Sequence, residues 1–119
     1  MSEAARHTGT VEDHLRAFGK YSSHRVTLAD SRLIGLMKCD IKYFDCIVFH
    51  YSIVIKYESY IDSGLLEKLK SFSGLKVLFI QDEMRWVNDT SSKIKELNIK
   101  TVFTVLNKDV IRKIYTDSW

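Results

Sequence analysis

Short, continuous apolar runs alternate along this chain with longer stretches in which apolar residues recur every third or fourth position. The first pattern is typical of buried strands, and the second is typical of helices with one buried side. Three clear strands are predicted, at residues 46–51, 76–80 and 100–105. A weaker strand is predicted at residues 25–29, whereas residues 31–44 favour no single element.

Capping residues predict where helices begin and end between these strands. Short polar side chains that accept a hydrogen bond favour the N-cap, and Asn or Gly favours the position just after a helix. Each predicted helix carries an apolar stripe on one side, so each is expected to pack against a sheet. The predicted N-caps are Thr10, Asp62, Asp89 or Thr90, and Asn107, and the predicted stop signals are Ser73-Gly74 and Asn98.

The alternation of strands and helices defines the expected fold. A strand, a helix and a second parallel strand form a right-handed βαβ unit, and repeated units give a parallel sheet covered by helices. The sequence therefore predicts an α/β protein, a three-layer Rossmann-like sandwich with a parallel sheet of about four strands and helices on both faces. Residues 1–9 are expected to be a disordered N-terminal tail and residues 10–119 a single domain.

Composition and charge narrow the class of protein. The 119 residues carry a formal net charge of +3, but basic and acidic residues are interspersed, so no nucleic-acid surface is predicted. No apolar run approaches the roughly 20 residues of a membrane-spanning helix, and residues 1–6 lack the apolar core of a secretory signal. Cys39 and Cys46 are too few for a disulfide framework. A cytoplasmic protein with reduced thiols is expected.

Polar side chains follow the clear strands at the positions where these strands end. Ligands of open α/β sheets bind at the carboxyl ends of parallel strands, so these side chains form the predicted site. A histidine that faces a carboxylate is a workable general base, because the carboxylate orients the imidazole. Catalytic roles are predicted for His50, Asp82 and Glu83, and ligand-binding roles for Tyr51, Ser52, Gln81, Arg85, Thr104 and Asn107.

Other interpretations of these residues stay open at this point. His50 could be a packed residue that is hydrogen-bonded at the end of its strand. Asp82-Glu83 could cap the following turn, with Arg85 as their partner. Thr10 stands at a predicted helix N-terminus, where an anion such as a phosphate could bind and where Thr10 is counted among the ligand-binding residues, although simple capping explains it as well.

Metal ions and cofactors are not predicted. Adjacent residues on an extended chain point in opposite directions, so Asp82 and Glu83 would not both reach one ion. The sequence contains neither a dinucleotide-binding glycine motif nor a glycine-rich phosphate loop. The site is therefore expected to act through its own side chains.

Four stretches of the sequence together resemble a known family. They are residues 8–18, 21–26, 44–52 and 74–83, and the most specific pieces are His50-Tyr51-Ser52 and the run from Phe79 to Glu83, supported by Phe103-Thr104. Over about residues 8–117 the chain resembles the N-terminal region of bacterial glycosyltransferases of the GT-B architecture.

The resemblance implies a two-domain enzyme that transfers a sugar from a nucleotide donor without a metal. This chain would correspond to the acceptor-side half, with His50 and Gln81-Asp82-Glu83 facing the cleft between the halves. The 119 residues include neither a donor-binding half nor the strand that normally precedes the first helix. We therefore expect a half or a remnant of such an enzyme, which is not active alone.

Two other classes fit parts of the pattern. A flavodoxin-like receiver domain would need an acidic pair after its first strand, where this sequence offers only Asp30, and a lysine after a fifth strand, which is not predicted. A non-catalytic binding module could instead form a homodimer through an open edge of its sheet, because unpaired edge strands attract other strands. This module is the alternative to the glycosyltransferase half.

Overall fold

The computed structural model describes residues 3–34, 40–81 and 87–115 of the chain. The chain divides into two compact units, Met1–Asp30 and Ser31–Trp119. The first unit is built around one helix, and the second contains a β-sheet with its connecting helices. The predicted single domain at residues 10–119 stays a prediction.

The helix of the first unit, α1, spans Glu3–Tyr21 and begins earlier than the sequence pattern indicated. An apolar stripe locates only the part of a helix that has a surface to bury, and here the stripe starts at Val11. Glu3 and the two alanines after it are strong helix formers without an apolar period, so helix propensity carries α1 into the predicted tail. Thr10 consequently lies inside α1 and is not its N-cap.

The weaker strand predicted at residues 25–29 is wrong, because residues 24–30 belong to no helix or strand. Val26 is 41% exposed and Leu28 is 56% exposed. A strand is stable only where a neighbouring strand completes its backbone hydrogen bonds, and the apolar pattern of one segment does not supply that neighbour. The described part of the chain therefore has three strands, and the predicted number of about four is not confirmed.

The second unit contains a parallel sheet whose strands are β1 at Cys46–Phe49, β2 at Leu75–Ile80 and β3 at Thr101–Thr104. The strands lie side by side in the order β1-β2-β3. In the register of the sheet, Phe49 pairs with Leu78, and Ile80 pairs with Thr104. The α/β class, the parallel sheet and the three clear strands are thus confirmed.

Helices connect these strands as the sequence predicted. Asp62 accepts a hydrogen bond from the Leu65 N–H at 2.8 Å and so caps the helix between β1 and β2. The helix between β2 and β3 begins before its predicted cap, so Asp89 lies in its first turn, where the helix dipole also favours an acid. The helices of this unit are α2 at Ser31–Ile34, α3 at Ser63–Ser71, α4 at Val87–Glu96 and α5 at Lys108–Ile114, with a 3₁₀ turn at Ile41–Tyr43.

One face of the sheet forms the core together with these helices. Side chains alternate between the two faces of a strand, and the register places Phe49, Leu78 and Val102 on the same face. Phe49 and Leu78 belong to one buried hydrophobic cluster, and Val102 packs against it. The helices contribute Leu65 and Leu69 of α3 and Ile94 of α4 to this cluster, and Leu66 of α3 and Ile111 of α5 pack against it.

Lys76 is a charged residue inside this apolar face. It is 2% exposed, at the middle of the sheet beside Ile47. Its Nζ donates a hydrogen bond of 2.8 Å to the carbonyl oxygen of Leu97, just beyond the end of α4. Burial lowers the pKa of the Lys76 ammonium below its ordinary value of 10.5. From the sequence, Lys76 was predicted only as the first residue of a strand.

The end of α4 has a defined cap that brings the Leu97 carbonyl to this lysine. Asn98 is left-handed, with φ of 56°, as its predicted stop role requires. Its N–H donates to the Lys95 carbonyl at 3.0 Å, and the Ile99 N–H donates to the Ile94 carbonyl at 3.0 Å. These two bonds form a Schellman motif, in which Ile94 and Ile99 are both buried. Lys76 completes this cap from the central strand.

Gly74 is required by a close approach of two strands. A Cβ atom at this position would lie 2.6 Å from the carbonyl oxygen of Asp45 and 2.5 Å from Cζ of Phe72. The same Asp45 carbonyl accepts the Leu75 N–H at 3.2 Å. Gly74 therefore lets β2 begin directly beside the start of β1.

We expect Gly74→Ala to destabilise the protein by about 1–3 kcal/mol, because the new methyl group must displace backbone or a buried ring. Gly64→Ala is the matched control, since its Cβ would lie 3.5 Å from Asp62 Oδ1, an ordinary contact, inside α3. That control should gain up to about 1 kcal/mol from helix propensity. Urea unfolding of the two variants measures both effects, and equal midpoints would contradict the close approach at Gly74.

Lys76 should give the protein a pH-dependent stability. Because the folded pKa lies below 10.5, the folded protein releases this proton first as the pH rises. The resulting stabilisation is present above pH 10.5 and is lost as the pH falls through the folded pKa. The free energy of unfolding should therefore rise by less between pH 7 and 10.5 in Lys76→Met than in the parent protein, measured by urea unfolding. Lys100→Met, at an exposed lysine, should keep the parental pH dependence, and an unchanged slope in Lys76→Met would refute the assignment.

Candidate functional site

The parallel sheet brings the ends of its three strands to one edge. His50 directly follows β1, Gln81 directly follows β2, and Thr104 is the last residue of β3. Since Ile80 and Thr104 are paired, Gln81 and the residues after Thr104 leave the sheet at the same level. The structure thus places the described members of the predicted site at the carboxyl edge, with the exception of Thr10.

His50 turns its side chain into the protein and is only 4% exposed. Its carbonyl oxygen accepts the Ile53 N–H at 3.0 Å, which closes a turn at the end of β1. Within that turn the Ser52 N–H donates to His50 Nδ1 at 3.1 Å, and Ser52 Oγ lies 2.9 Å from the same nitrogen. The imidazole is therefore built into the turn.

These contacts bear on where the imidazole carries its proton. A backbone N–H can only donate, so Nδ1 of His50 is the acceptor in its contact with the Ser52 N–H, whereas the contact with Ser52 Oγ fits either tautomer. With Nδ1 as acceptor, a neutral ring carries its proton on Nε2. Proton transfer to Nδ1 would break the hydrogen bond from Ser52. The observed contacts fit a packed histidine at a strand end, and the general-base role stays a prediction.

Tyr51 and the loop after it form one side of this edge. The Tyr51 ring is 4.0 Å from the His50 ring, centroid to centroid, at an angle of 36°. Ile55 and Ile61 are buried and fasten the loop between β1 and α3 to the core. Between them Tyr57 is 41% exposed, with Lys56 Nζ 4.7 Å from its ring centroid. The loop therefore carries an aromatic ring and an ammonium group between two residues that are anchored in the core.

Gln81 is exposed where β2 ends. The predicted carboxylates Asp82 and Glu83 and the predicted anion-binding Arg85 lie outside the described residues. Their catalytic and ligand-binding roles, and the expected meeting of His50 with a carboxylate, stay predictions.

Thr104 and Asn107 use their oxygen atoms to organise the chain after β3. Thr104 Oγ1 accepts the Leu106 N–H at 3.0 Å. Asn107 Oδ1 accepts the Val110 N–H at 3.0 Å and caps α5, as the sequence predicted. Both contacts are local, so these side chains shape the edge of the sheet whether or not they bind a ligand.

Thr10 lies in the first unit, inside α1 and with an exposed side chain. The argument for an anion at this residue depended on a helix N-terminus, where N–H groups are not used by the helix itself. Because α1 begins at Glu3, that argument does not apply to Thr10. Its ligand-binding role has no support from the fold.

Within residues 3–34, 40–81 and 87–115, no group of three or more His, Cys, Asp or Glu side chains could hold a metal ion. In those ranges no helix is both long enough and apolar enough to cross a bilayer. Cys46 is a free, exposed cysteine, whereas Cys39 lies outside the described residues.

Comparisons of the chain with models of known protein families, with curated proteins and with solved structures found no match. The geometry of the carboxyl edge and the sequence resemblance are therefore the basis for a functional proposal.

The spacing of His50, Tyr51 and Ser52 in the sequence is a local indication of the His50 turn. Side chains that bond to the backbone N–H two residues later commonly close turns, and His50-Tyr51-Ser52 has that spacing. Ser52 was predicted to bind a ligand, but its described hydrogen bonds are to His50. In the structure Ser52 is a positioning residue for the imidazole.

We predict that ¹⁵N-detected NMR at neutral pH will show His50 as the Nε2–H tautomer. His50→Phe should cost about 1–2 kcal/mol of stability, because the Ser52 N–H loses its acceptor. Ser52→Ala is the matched control, since it keeps the backbone N–H and removes only the hydroxyl. A His50 ring protonated on Nδ1, or equal losses in both variants, would contradict the turn described here.

Proposed function

We propose that this chain is the acceptor-side half, or a remnant, of a bacterial GT-B-type glycosyltransferase, and that it is not active alone. The observation that carries the proposal is the common edge of three parallel strands, where His50, Tyr51 and Gln81 follow β1 and β2. In open α/β sheets this edge is where ligands bind. The sequence resemblance to the N-terminal region of such enzymes includes these same residues.

The proposal includes features that go beyond the described sheet. The complete half would be a Rossmann-like sandwich of three layers, with about four strands and helices on both faces of its sheet. It would work in the cytoplasm, with a nucleotide sugar as donor and a second half that completes the cleft. The acceptor would lie against the carboxyl edge of the sheet.

The described part of the edge favours binding over catalysis. Nδ1 of His50 accepts the Ser52 N–H, so the imidazole is held in its turn at 4% exposure. A pre-organised turn suits recognition of a ligand by this edge, because little freedom is lost when the ligand binds. Proton abstraction by His50 would need a different arrangement of its turn. Chemistry would thus require the second half or the carboxylates predicted at Asp82 and Glu83.

An amide NMR titration with a nucleotide sugar tests this proposal. We expect millimolar ligand to shift the amide signals of Tyr51, Ser52 and Gln81, because these residues leave the sheet at the proposed cleft. Gln81→Ala should weaken the shifts several-fold. Ser73→Ala is the matched control, an exposed polar residue next to the opposite end of β2.

Flat signals at the carboxyl edge with millimolar nucleotide sugar would contradict the assignment of this edge to the cleft. Equal effects of the Gln81 and Ser73 variants would show that any binding occurs elsewhere.

The second candidate is a non-catalytic, flavodoxin-like module that forms a homodimer. Its support is that β1 and β3 are the outer strands of the described sheet, and each pairs with β2 on one side only. An unpaired strand presents backbone N–H and C=O groups that a second strand can bind. In this version the chain would associate through an edge of the sheet.

A further inference from the structure

The sheet has a second face, which takes no part in the core cluster. Side-chain alternation and register place seven residues on it, and none of them is charged. They are Cys46 and Val48 of β1, Leu75, Val77 and Phe79 of β2, and Thr101 and Phe103 of β3. We call these seven residues the second face.

Much of the second face is open to solvent. Val48 is 42% exposed, Leu75 is 49% exposed and Phe103 is 52% exposed. Phe79 stacks on Phe103 with 4.7 Å between ring centroids and an angle of 17°. A stacked aromatic pair of this kind is a typical centre of a binding surface, because it offers a large rigid contact area.

Parallel sheets occur almost only with both faces covered, since neither face carries the polar alternation of a solvated sheet. Strands that follow one another in chain order, with right-handed crossovers, place their connecting helices on the same side. Accordingly, α3, α4 and α5 all contribute to the cluster on the first face. These three helices do not cover the second face, where Val48, Leu75 and Phe103 are exposed and Val77 on the central strand is 8% exposed.

We propose that the second face is an interface between two copies of this chain. A surface without charge meets its own copy without repulsion, so a two-fold arrangement that places each Phe79–Phe103 pair against the opposite copy is favourable. Two such faces would pack as a sheet on a sheet, about 10 Å apart.

The size of the face determines how strong the association should be. With full surfaces of roughly 200 Å² for large apolar residues, the three exposed positions contribute about 300 Å² per copy. The surrounding residues, among them the 71% exposed Val105 directly after β3, bring two copies close to the roughly 1,000 Å² of a weak interface. The dissociation constant of the dimer should therefore be micromolar or higher.

This interface rests on the homodimer alternative and replaces the edge of the sheet with its face. It competes with the glycosyltransferase half for the second face, because that half would have helices on both faces of its sheet. Nucleotide-sugar binding and oligomeric state are separate measurements, so the failure of one proposal is distinguishable from the failure of the other.

Sedimentation velocity of the full chain from about 10 µM to 1 mM tests the interface. The parent protein should shift from monomer to dimer over this range. Phe103→Glu should remain monomeric, with at least a tenfold weaker association, because it places a charge on the uncharged second face. Leu28→Glu is the matched control, with the same change at a similarly exposed residue outside the sheet, and it should dimerise like the parent.

Val48→Glu, on the other outer strand, provides a second variant if loss of the Phe79 stack unfolds Phe103→Glu. A parent protein that stays monomeric at 1 mM would overturn the proposal. If both face variants then also have a lower melting temperature, the second face is covered by another part of the same chain. A dimer that survives both variants would indicate the sheet edge and would also overturn it.

Discussion

The hydrogen bond from Lys76 Nζ to the Leu97 carbonyl is the contact on which the arrangement of the second unit depends. It joins the central strand to the end of α4, where Asn98 turns the chain towards β3. An ammonium group at 2% exposure must have a strong acceptor, because burial of a charge without one is costly. The last carbonyls of a helix are such acceptors, and the helix dipole adds to the attraction. This bond therefore links the end of α4 to the central strand, together with the buried contacts of Ile94.

The contacts around Lys76 explain which parts of the fold were predictable from the sequence. Strands β1, β2 and β3 are continuous apolar runs, and Asp62, Asn98 and Asn107 act on their own neighbours. Such local patterns are readable without a structure. The partner of Lys76 is twenty-one residues away, so no local pattern reveals it. The strand expected at residues 25–29 failed for the same reason, because a strand depends on a distant partner.

The position of the candidate site was predictable from the sequence, but the chemical roles of its residues were not. Parallel strands must deliver their following residues to one edge, which put His50 and Gln81 there correctly. The role of His50 depends on which atom its Nδ1 contacts, and that atom belongs to the backbone of Ser52. A residue list does not show this, although the spacing of His50 and Ser52 permits it. The contact with the Ser52 backbone therefore favours the packed interpretation of His50, and its general-base role stays a prediction.

The order β1-β2-β3 has a consequence for how such a domain can grow. In the described sheet β2 pairs with β1 and β3 pairs with β2, so a further strand and helix can join at an outer strand without rearranging the strands already present. A sheet whose strands follow chain order can in this sense be extended at its outer strands. Gene duplication or fusion could lengthen it in steps of one strand and one helix, and each step would keep the carboxyl ends on the same edge.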